Sequence, residues 1–471
     1  MEIDILAPPG WKIMVKIYNT LTKQIEDFKP IREGQVGMYV CGPTTYDNSH
    51  IGHARTYIFF DFLRRYLEFQ GLQVKLVVNL TDVDDKIIER SKSGEGFTSW
   101  QMVPDRYGRS FFESMAALRV KPPFTFPRVS NHIQEIIEMV QELIDKGNAY
   151  EAADGIYFDV GSFPEYGKLS GRVDENAQSQ KKNPNKRSER DFALWKFRKA
   201  GEPFWYAPFG DGRPGWHIEC SAMSRTYLGK TLDIHGGGMD LVFPHHENEI
   251  AQSESANGAP FANYWVHSAF LTIDKDKMSK SSGNFVTIND MTSKYPAELI
   301  RYYLLSAHYR TALDFSWEKI NKAREQWGKL VRAWYAVLQN LENGIYGRED
   351  AVPLFEAAEK EMTEALDNDL QTPKAYVAIH KAAGCVARGG LDKPSLEAAK
   401  QFFQKVDDIF AIMPEPSWTK REQVLAKMLA ELREYFRRKK EFKISDEVRE
   451  HLRKSGVEIN DSKEGPKISF I

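Results

Sequence analysis

A chain of 471 residues exceeds what one hydrophobic core organises and predicts two to four compact units. The composition, 42% hydrophobic and 28% charged, is that of an ordinary soluble protein, and no run approaches a membrane span, so a membrane role is not expected. The net charge of −2 lacks the basic excess of a dedicated nucleic-acid binder, leaving RNA contacts to local patches such as Lys181–Arg190 and Arg437–Lys440, which also read as solvated surface. Asp4, Pro8 and Pro9 do not suit a secretory leader, and Cys41, Cys220 and Cys385 are too few for a disulfide framework, so the expected compartment is the cytoplasm.

In chain order, Val36–Cys41 has the β-branched and aromatic content of a buried strand stopped by Gly42-Pro43. From Ile51 to about Gln70, Phe59, Phe62, Leu63, Tyr66 and Leu67 recur at helical spacing, with Gly71 at the C-terminal cap position. Val74–Thr81 reads as a second buried strand. The resulting strand–helix–strand unit is a Rossmann-like opening, with ligands expected around Cys41–His53 and Thr81 at the carboxyl ends of the strands. Prolines and the basic stretch break the pattern between about 120 and 210, as an insertion would. Strand signals return at Thr231–Ile234 and Tyr264–Val266.

Beyond about Ala312, Trp327, Leu330, Val331, Trp334, Val337 and Leu338 follow helical periodicity without strand signals. The expected architecture is α/β: a Rossmann-like parallel-sheet catalytic domain split by an insertion and followed by an all-helical C-terminal domain. Its segments would be 1–120 (first half of the catalytic domain), 121–210 (connective insertion), 211–265 (second half), 266–320 (a Lys/Ser loop and stem-contact region) and 321–471 (helical).

Three groups of residues carry chemistry. His50-Ile51-Gly52-His53 puts two imidazoles three apart at a predicted helix start, where the helix dipole favours phosphate. Lys277-Met278-Ser279-Lys280-Ser281 offers two lysines and hydroxyls in a Gly-bounded loop, suited to a triphosphate. Alone, each also reads as ordinary surface; together, in this order and 227 residues apart, they do not look coincidental. Cys41, Cys220, His245 and Glu249 would make a zinc set, His245 and Glu249 being neighbours on a helix face, although the spacing alone suits buried cysteines and a core histidine better. His246 would point about 100° away from His245. Cys385 reads as a small core residue.

The two signatures resemble those of class I aminoacyl-tRNA synthetases. Met38–Thr44, Asn79–Lys86 and Asp233–Gly238 resemble the cysteine-specific branch, roughly over residues 15 to 320. That resemblance implies activation of L-cysteine with ATP and Mg2+ to cysteinyl-adenylate and pyrophosphate, then transfer to tRNA(Cys). His50, His53, Lys277 and Lys280 would be catalytic, and one Zn2+ per chain would sit on Cys41, Cys220, His245 and Glu249 and take the substrate thiolate. Gly42, Thr81, Trp216 and His235 would line the amino-acid pocket, and Thr44, Gly52, Gly238, Asp240 and Lys280 the nucleotide.

Selection by ligation would make proofreading unnecessary, and the insertion looks too small for an editing domain. The helical segment 321–471 would read the anticodon, and a monomer is expected. Two alternatives stay open: the cysteine ligase of mycothiol synthesis, which joins cysteine to an amino sugar, and an inactive tRNA-binding paralogue. A metallohydrolase is disfavoured because H-E-x-x-H is absent.

Overall fold

The computed structural model describes residues 14–172, 183–273, 276–277, 285–415, 420–454, 457–462 and 465–470. Chain contacts divide it into two compact units. The first is Met1–Tyr295 with Ala307–Phe315 and Asp367–Leu370, and the second comprises Pro296–Ser306, Ser316–Leu366 and Gln371–Ile471.

The first unit is built on a four-stranded parallel sheet in the order Ala262–Ser268, Leu232–Gly238, Gln35–Val40, Gln73–Val78. Val36, Met38 and Val40 alternate with Tyr39 and all are buried, as expected of a strand covered on both faces. The connecting helix Ile51–Phe69 buries Phe59, Phe60, Phe62, Leu63, Tyr66 and Leu67, at about 1.5–3 kcal/mol for each such side chain. Gly71 ends the turn after it with φ of 80°, a conformation that favours glycine.

Further along, Ala149–Ala152, Gly155–Phe158, Phe192–Phe197 and Gly212–Pro214 form a separate antiparallel sheet. Its last strand leads directly into the helix Trp216–Leu228. Leu271–Ile273 pairs with Asp276–Lys277 on one side and Leu313–Phe315 on the other.

The second unit is helical, led by Trp317–Asn343, which buries Trp327, Leu330, Val331, Trp334 and Val337. Cys385 is buried there on the helix Thr372–Arg388. One feature departs from the all-helical expectation: Val457–Ser462 and Gly465–Phe470 close an antiparallel hairpin. Val457 and Ile459 alternate with polar residues and are buried, a period of two that the preceding helical periodicity masks.

No helix among the described residues is long and apolar enough to cross a membrane.

Candidate functional site

The site gathers at the carboxyl ends of the parallel strands, where an open α/β sheet leaves its crevice. Cys41 follows the Gln35–Val40 strand directly, and its N–H continues the ladder by donating to the Gly236 carbonyl (3.0 Å). Gly42 packs against the Asn79 backbone so closely that a Cβ would lie 1.5 Å from the Asn79 carbonyl oxygen. Gly42 N–H donates to Asn79 Oδ1 (2.7 Å), and Thr44 bridges to Thr81.

Cys220 lies on the Trp216–Leu228 helix. His245 stands in the turn before the helix Glu247–Asn257, which carries Glu249. Phe243 is non-helical and the helix starts only at Glu247, yet His245 Nε2 still meets Glu249 Oε1 at 2.9 Å. Cys41 Sγ is 3.7 Å from Cys220 Sγ and 3.3 Å from Glu249 Oε1. The structure thus brings Cys41, Cys220, His245 and Glu249 together, all buried, with ligand atoms within 4.8 Å of one another.

A second set, Cys41, His235, His246 and Glu249, meets the same criterion. His235 Nε2 lies 3.0 Å from Glu249 Oε2, and His246 Nε2 lies 3.3 Å from Cys41 Sγ. The expectation that His246 points away therefore fails. Cys41 reaches His246 from the end of the sheet strand, so rotation about the helix does not remove His246 from it.

The His245 and His246 rings are each held from behind. His217 Nδ1 lies 2.8 Å from His245 Nδ1, and His246 Nδ1 lies 2.8 Å from His267 Nε2, whose own Nδ1 meets the Thr20 hydroxyl at 2.8 Å. Trp216, 39% exposed, stacks on His245 with ring centroids 4.4 Å apart.

Burial disfavours the charged forms, but the groups offset this against one another. Burial opposes ionisation of Cys220, and the hydrogen bond from Cys41 together with His245 outweighs it, bringing the thiol down to about 6. Burial raises Cys41, as does its neighbour Cys220. For His245, burial is overcome chiefly by the Glu249 carboxylate, which lifts the imidazole to about 10. Burial would raise Glu249, but His235 and His245 hold it below the ordinary carboxylate range.

The donor set tests well for a metal. Two thiols, an imidazole and a carboxylate converge in a buried pocket, and Glu249 Oε2 has no aligned hydrogen-bond donor despite the nearby His235 ring.

The histidine pair sits at the start of the Ile51–Phe69 helix. His50 is its N-cap: Nδ1 accepts from Gly52 N–H (3.1 Å) and His53 N–H (3.3 Å), while His53 Nδ1 accepts from His50 N–H (3.4 Å). Backbone N–H groups can only donate, so both Nδ1 atoms are acceptors, and in each neutral ring the proton lies on Nε2. The rings stack with centroids 3.8 Å apart. Burial lowers His50 to about 4, and burial with the neighbouring His50 holds His53 well below the ordinary imidazole range. The cap therefore presents two neutral N–H donors beside a helix N-terminus.

His50 forms a bridge with Thr287, Ile51 N–H donates to the Val286 carbonyl, and Phe285 meets the His50 ring edge-on at 5.4 Å. The segment that follows the Lys/Ser loop is thus fastened to the histidine turn. Lys277 pairs through its backbone with Thr272. Lys280 and Ser281, like Lys181 and Lys182 of the basic stretch, lie outside the described residues.

Thr81, buried, donates to Glu219 Oε2 (2.8 Å). At Gly238 a Cβ would come 2.4 Å from Asp240 Oδ1, so the glycine leaves room for the carboxylate of the exposed Asp240 beside the strand end. Of the residues gathered here, Asn79 and Glu219 were not expected at the site, and His217 was expected only as an uncertain neighbour. Only His217 carried a local signal, standing three residues before Cys220 on one helix face.

Residues 27–325 match the family model described as the class I (C) tRNA synthetase catalytic domain. The chain is 44% identical to a cysteine–tRNA ligase of Thermococcus gammatolerans over 96% of its own length and 98% of the relative's. It is likewise 44% identical to one of Pyrococcus horikoshii, over 95% and 97%. In fold it is similar to Mycobacterium tuberculosis methionyl-tRNA synthetase in complex with methionyl-adenylate, with a TM-score of 0.60 at 14% identity, covering 80% of this chain and 89% of that one. With its catalytic region matched by the family model and its near-full length matched by those relatives, the chain belongs to the class I (C) tRNA synthetases.

Proposed function

We propose that the chain is a cysteine–tRNA ligase that activates L-cysteine with ATP and transfers it to tRNA(Cys). The observation that carries this reading is the buried quartet Cys41, Cys220, His245 and Glu249 in the same unit as the His50/His53 cap. The identity to cysteine–tRNA ligases over 96% of the chain, C-terminal helices included, favours tRNA over an amino-sugar acceptor.

In the first step the cysteine carboxylate attacks the α-phosphorus of ATP. A new P–O bond forms, the bond to the β-phosphate bridging oxygen breaks, and pyrophosphate leaves. His50 and His53 offer their Nε2–H donors to the phosphate oxygens, and the helix N-terminus adds its dipole. Lys277 and Lys280 neutralise the departing pyrophosphate, with Mg2+ accompanying the nucleotide. Thr44, Gly52, Gly238 and Asp240 bind the nucleotide. In the second step the terminal ribose hydroxyl of tRNA attacks the adenylate carbonyl and AMP leaves.

The quartet would hold one Zn2+, which supplies a soft Lewis acid that favours thiolate over hydroxyl and so separates cysteine from serine. Two thiols in this set favour zinc there over the alternative set, which holds one. Gly42, Thr81, Trp216 and His235 line the amino-acid pocket around it. Residues 1–120 and 211–265 act as the catalytic halves, 121–210 as the connective insertion, 266–320 as the loop and stem-contact region and 321–471 as the anticodon-binding part of a cytoplasmic monomer.

The test is cysteine-dependent exchange of labelled pyrophosphate into ATP, followed by charging of total tRNA. Exchange and charging with cysteine but not serine are expected. Metal-replete protein that exchanges with neither would overturn the assignment.

A further inference from the structure

One buried acid in the pocket is used by none of the steps above. Glu219 stands beside Cys220 on the Trp216–Leu228 helix and is 1% exposed. Its one hydrogen bond among the described residues comes from the Thr81 hydroxyl, at 2.8 Å.

The neighbouring acids have their own partners. Asp82 accepts from Ser130 N–H (2.9 Å) and the Ser130 hydroxyl (2.6 Å), and Asp84 caps a helix at Lys86 N–H (2.9 Å). Glu219 pairs with no cation among the described residues, although a buried carboxyl without a counter-charge is costly.

The place of this acid relative to the quartet is informative. Asn79 ties the two together, because its Oδ1 lies 3.7 Å from Cys220 Sγ and its Nδ2 lies 3.3 Å from Thr81 Oγ1. Gly42 N–H, which can only donate, fixes that amide orientation. A ligand with its thiol at the quartet and a cation at Glu219 must therefore carry the two groups close together. Cysteine does so, with amine and thiol on adjacent carbons.

We infer that Glu219, together with the Thr81 hydroxyl, binds the α-ammonium group of the cysteine substrate. This rests on the ligase reading and adds a second selection to it. The quartet chooses a thiol, and Glu219 chooses a thiol with an amine at the right separation.

The experiment compares wild type with Glu219→Gln, which keeps the shape and removes the charge. KM for cysteine is read by pyrophosphate exchange, and the inhibition constant is read for mercaptopropionate, which is cysteine without its amine. Zinc per chain and the melting temperature are measured alongside. Glu219→Gln should raise KM for cysteine about 10- to 100-fold, the range of a hydrogen bond to a charged group, with mercaptopropionate inhibition and zinc content unchanged.

Equal weakening of both ligands, or an unchanged KM, would overturn the inference. Should the variant fail to fold, Thr81→Val must show the same selective loss, and equal loss of both ligands there overturns it too. Wild-type protein without cysteine-dependent exchange removes the ligase reading and this inference with it. Wild-type exchange without the selective loss removes the inference alone.

Discussion

Nδ1 of His217 lies 2.8 Å from Nδ1 of His245, so one proton joins the two rings while Nε2 of His245 meets Oε1 of Glu249 at 2.9 Å. Burial, and secondarily His245, holds His217 well below the usual imidazole range, so His217 is the acceptor and His245 keeps its proton on Nδ1. That leaves Nε2 of His245 as the atom available to a metal. Outer partners of this kind are worth about 10- to 100-fold in metal affinity. His217→Phe fills the space without the acceptor and should lose that much zinc affinity in a chelator competition, with little change in melting temperature. Unchanged zinc affinity would show that Trp216 stacking alone orients the ring.

Metal removal follows from the same geometry. Stripping with a chelator should abolish cysteine-dependent exchange, and added zinc should restore it. Cys220→Ala and His245→Ala should each lower zinc content and cysteine affinity together. If both variants keep one tightly bound zinc per chain, the set Cys41, His235, His246 and Glu249 is the better assignment.

His50 performs two tasks that substitution can separate. As N-cap it accepts two backbone N–H groups, worth about 1 kcal/mol; in the proposed mechanism it also donates to the nucleotide, where losing one such group would cost about 10²–10³ in kcat. His50→Asn replaces the capping Nδ1 with a capping oxygen and should melt close to wild type yet exchange pyrophosphate slowly. His50→Ala should lose both stability and rate. Equal melting temperatures for the two variants would mean that the cap contributes nothing.

Much of the framework was legible because each element carries its own signal. The strands around Met38 and Leu76, the helix from Ile51 and the helix holding Trp327 and Trp334 follow from periodicity within one segment. Apart from the quartet, which the family resemblance supplied, the site was legible only where residues share an element or a motif. That His246 approaches Cys41 depends on a contact spanning 205 residues, and that Glu219 meets Thr81 on one spanning 138. Neither periodicity nor spacing encodes which faces of separate elements converge, so these contacts had no sequence signal.

The pH dependence of stability has a definite sign. Burial brings folded His50 down to about 4, whereas an unfolded imidazole titrates near ~6.5. Between those values the unfolded chain binds a proton that the folded chain refuses, so stability falls as pH drops through this window and falls no further from this group below about 4. His53 is shifted in the same direction. In nucleotide-free protein, urea midpoints should drop on acidification from about pH 7 to 5, and less so in His50→Asn. Identical slopes in the two proteins would show that His50 titrates normally.

Gly42 tests the architecture of the pocket independently of its chemistry. A Cβ there would stand 1.5 Å from the Asn79 carbonyl oxygen, and that oxygen belongs to backbone, which cannot rotate aside. Gly42→Ala must push the ends of the Gln35–Val40 and Gln73–Val78 strands apart, at a cost of about 1–3 kcal/mol or more. It also moves Cys41 and Thr81, which these ends carry, so cysteine affinity should fall with stability. Asn79→Ala instead removes only the side-chain amide that accepts from Gly42 N–H and reaches Thr81, leaving the backbone approach intact. Gly42→Ala should therefore unfold at lower urea than Asn79→Ala. Because the clash is with main chain, no side-chain change at residue 79 should rescue Gly42→Ala. A Gly42→Ala protein that melts with wild type would show that the two strand ends do not approach this closely.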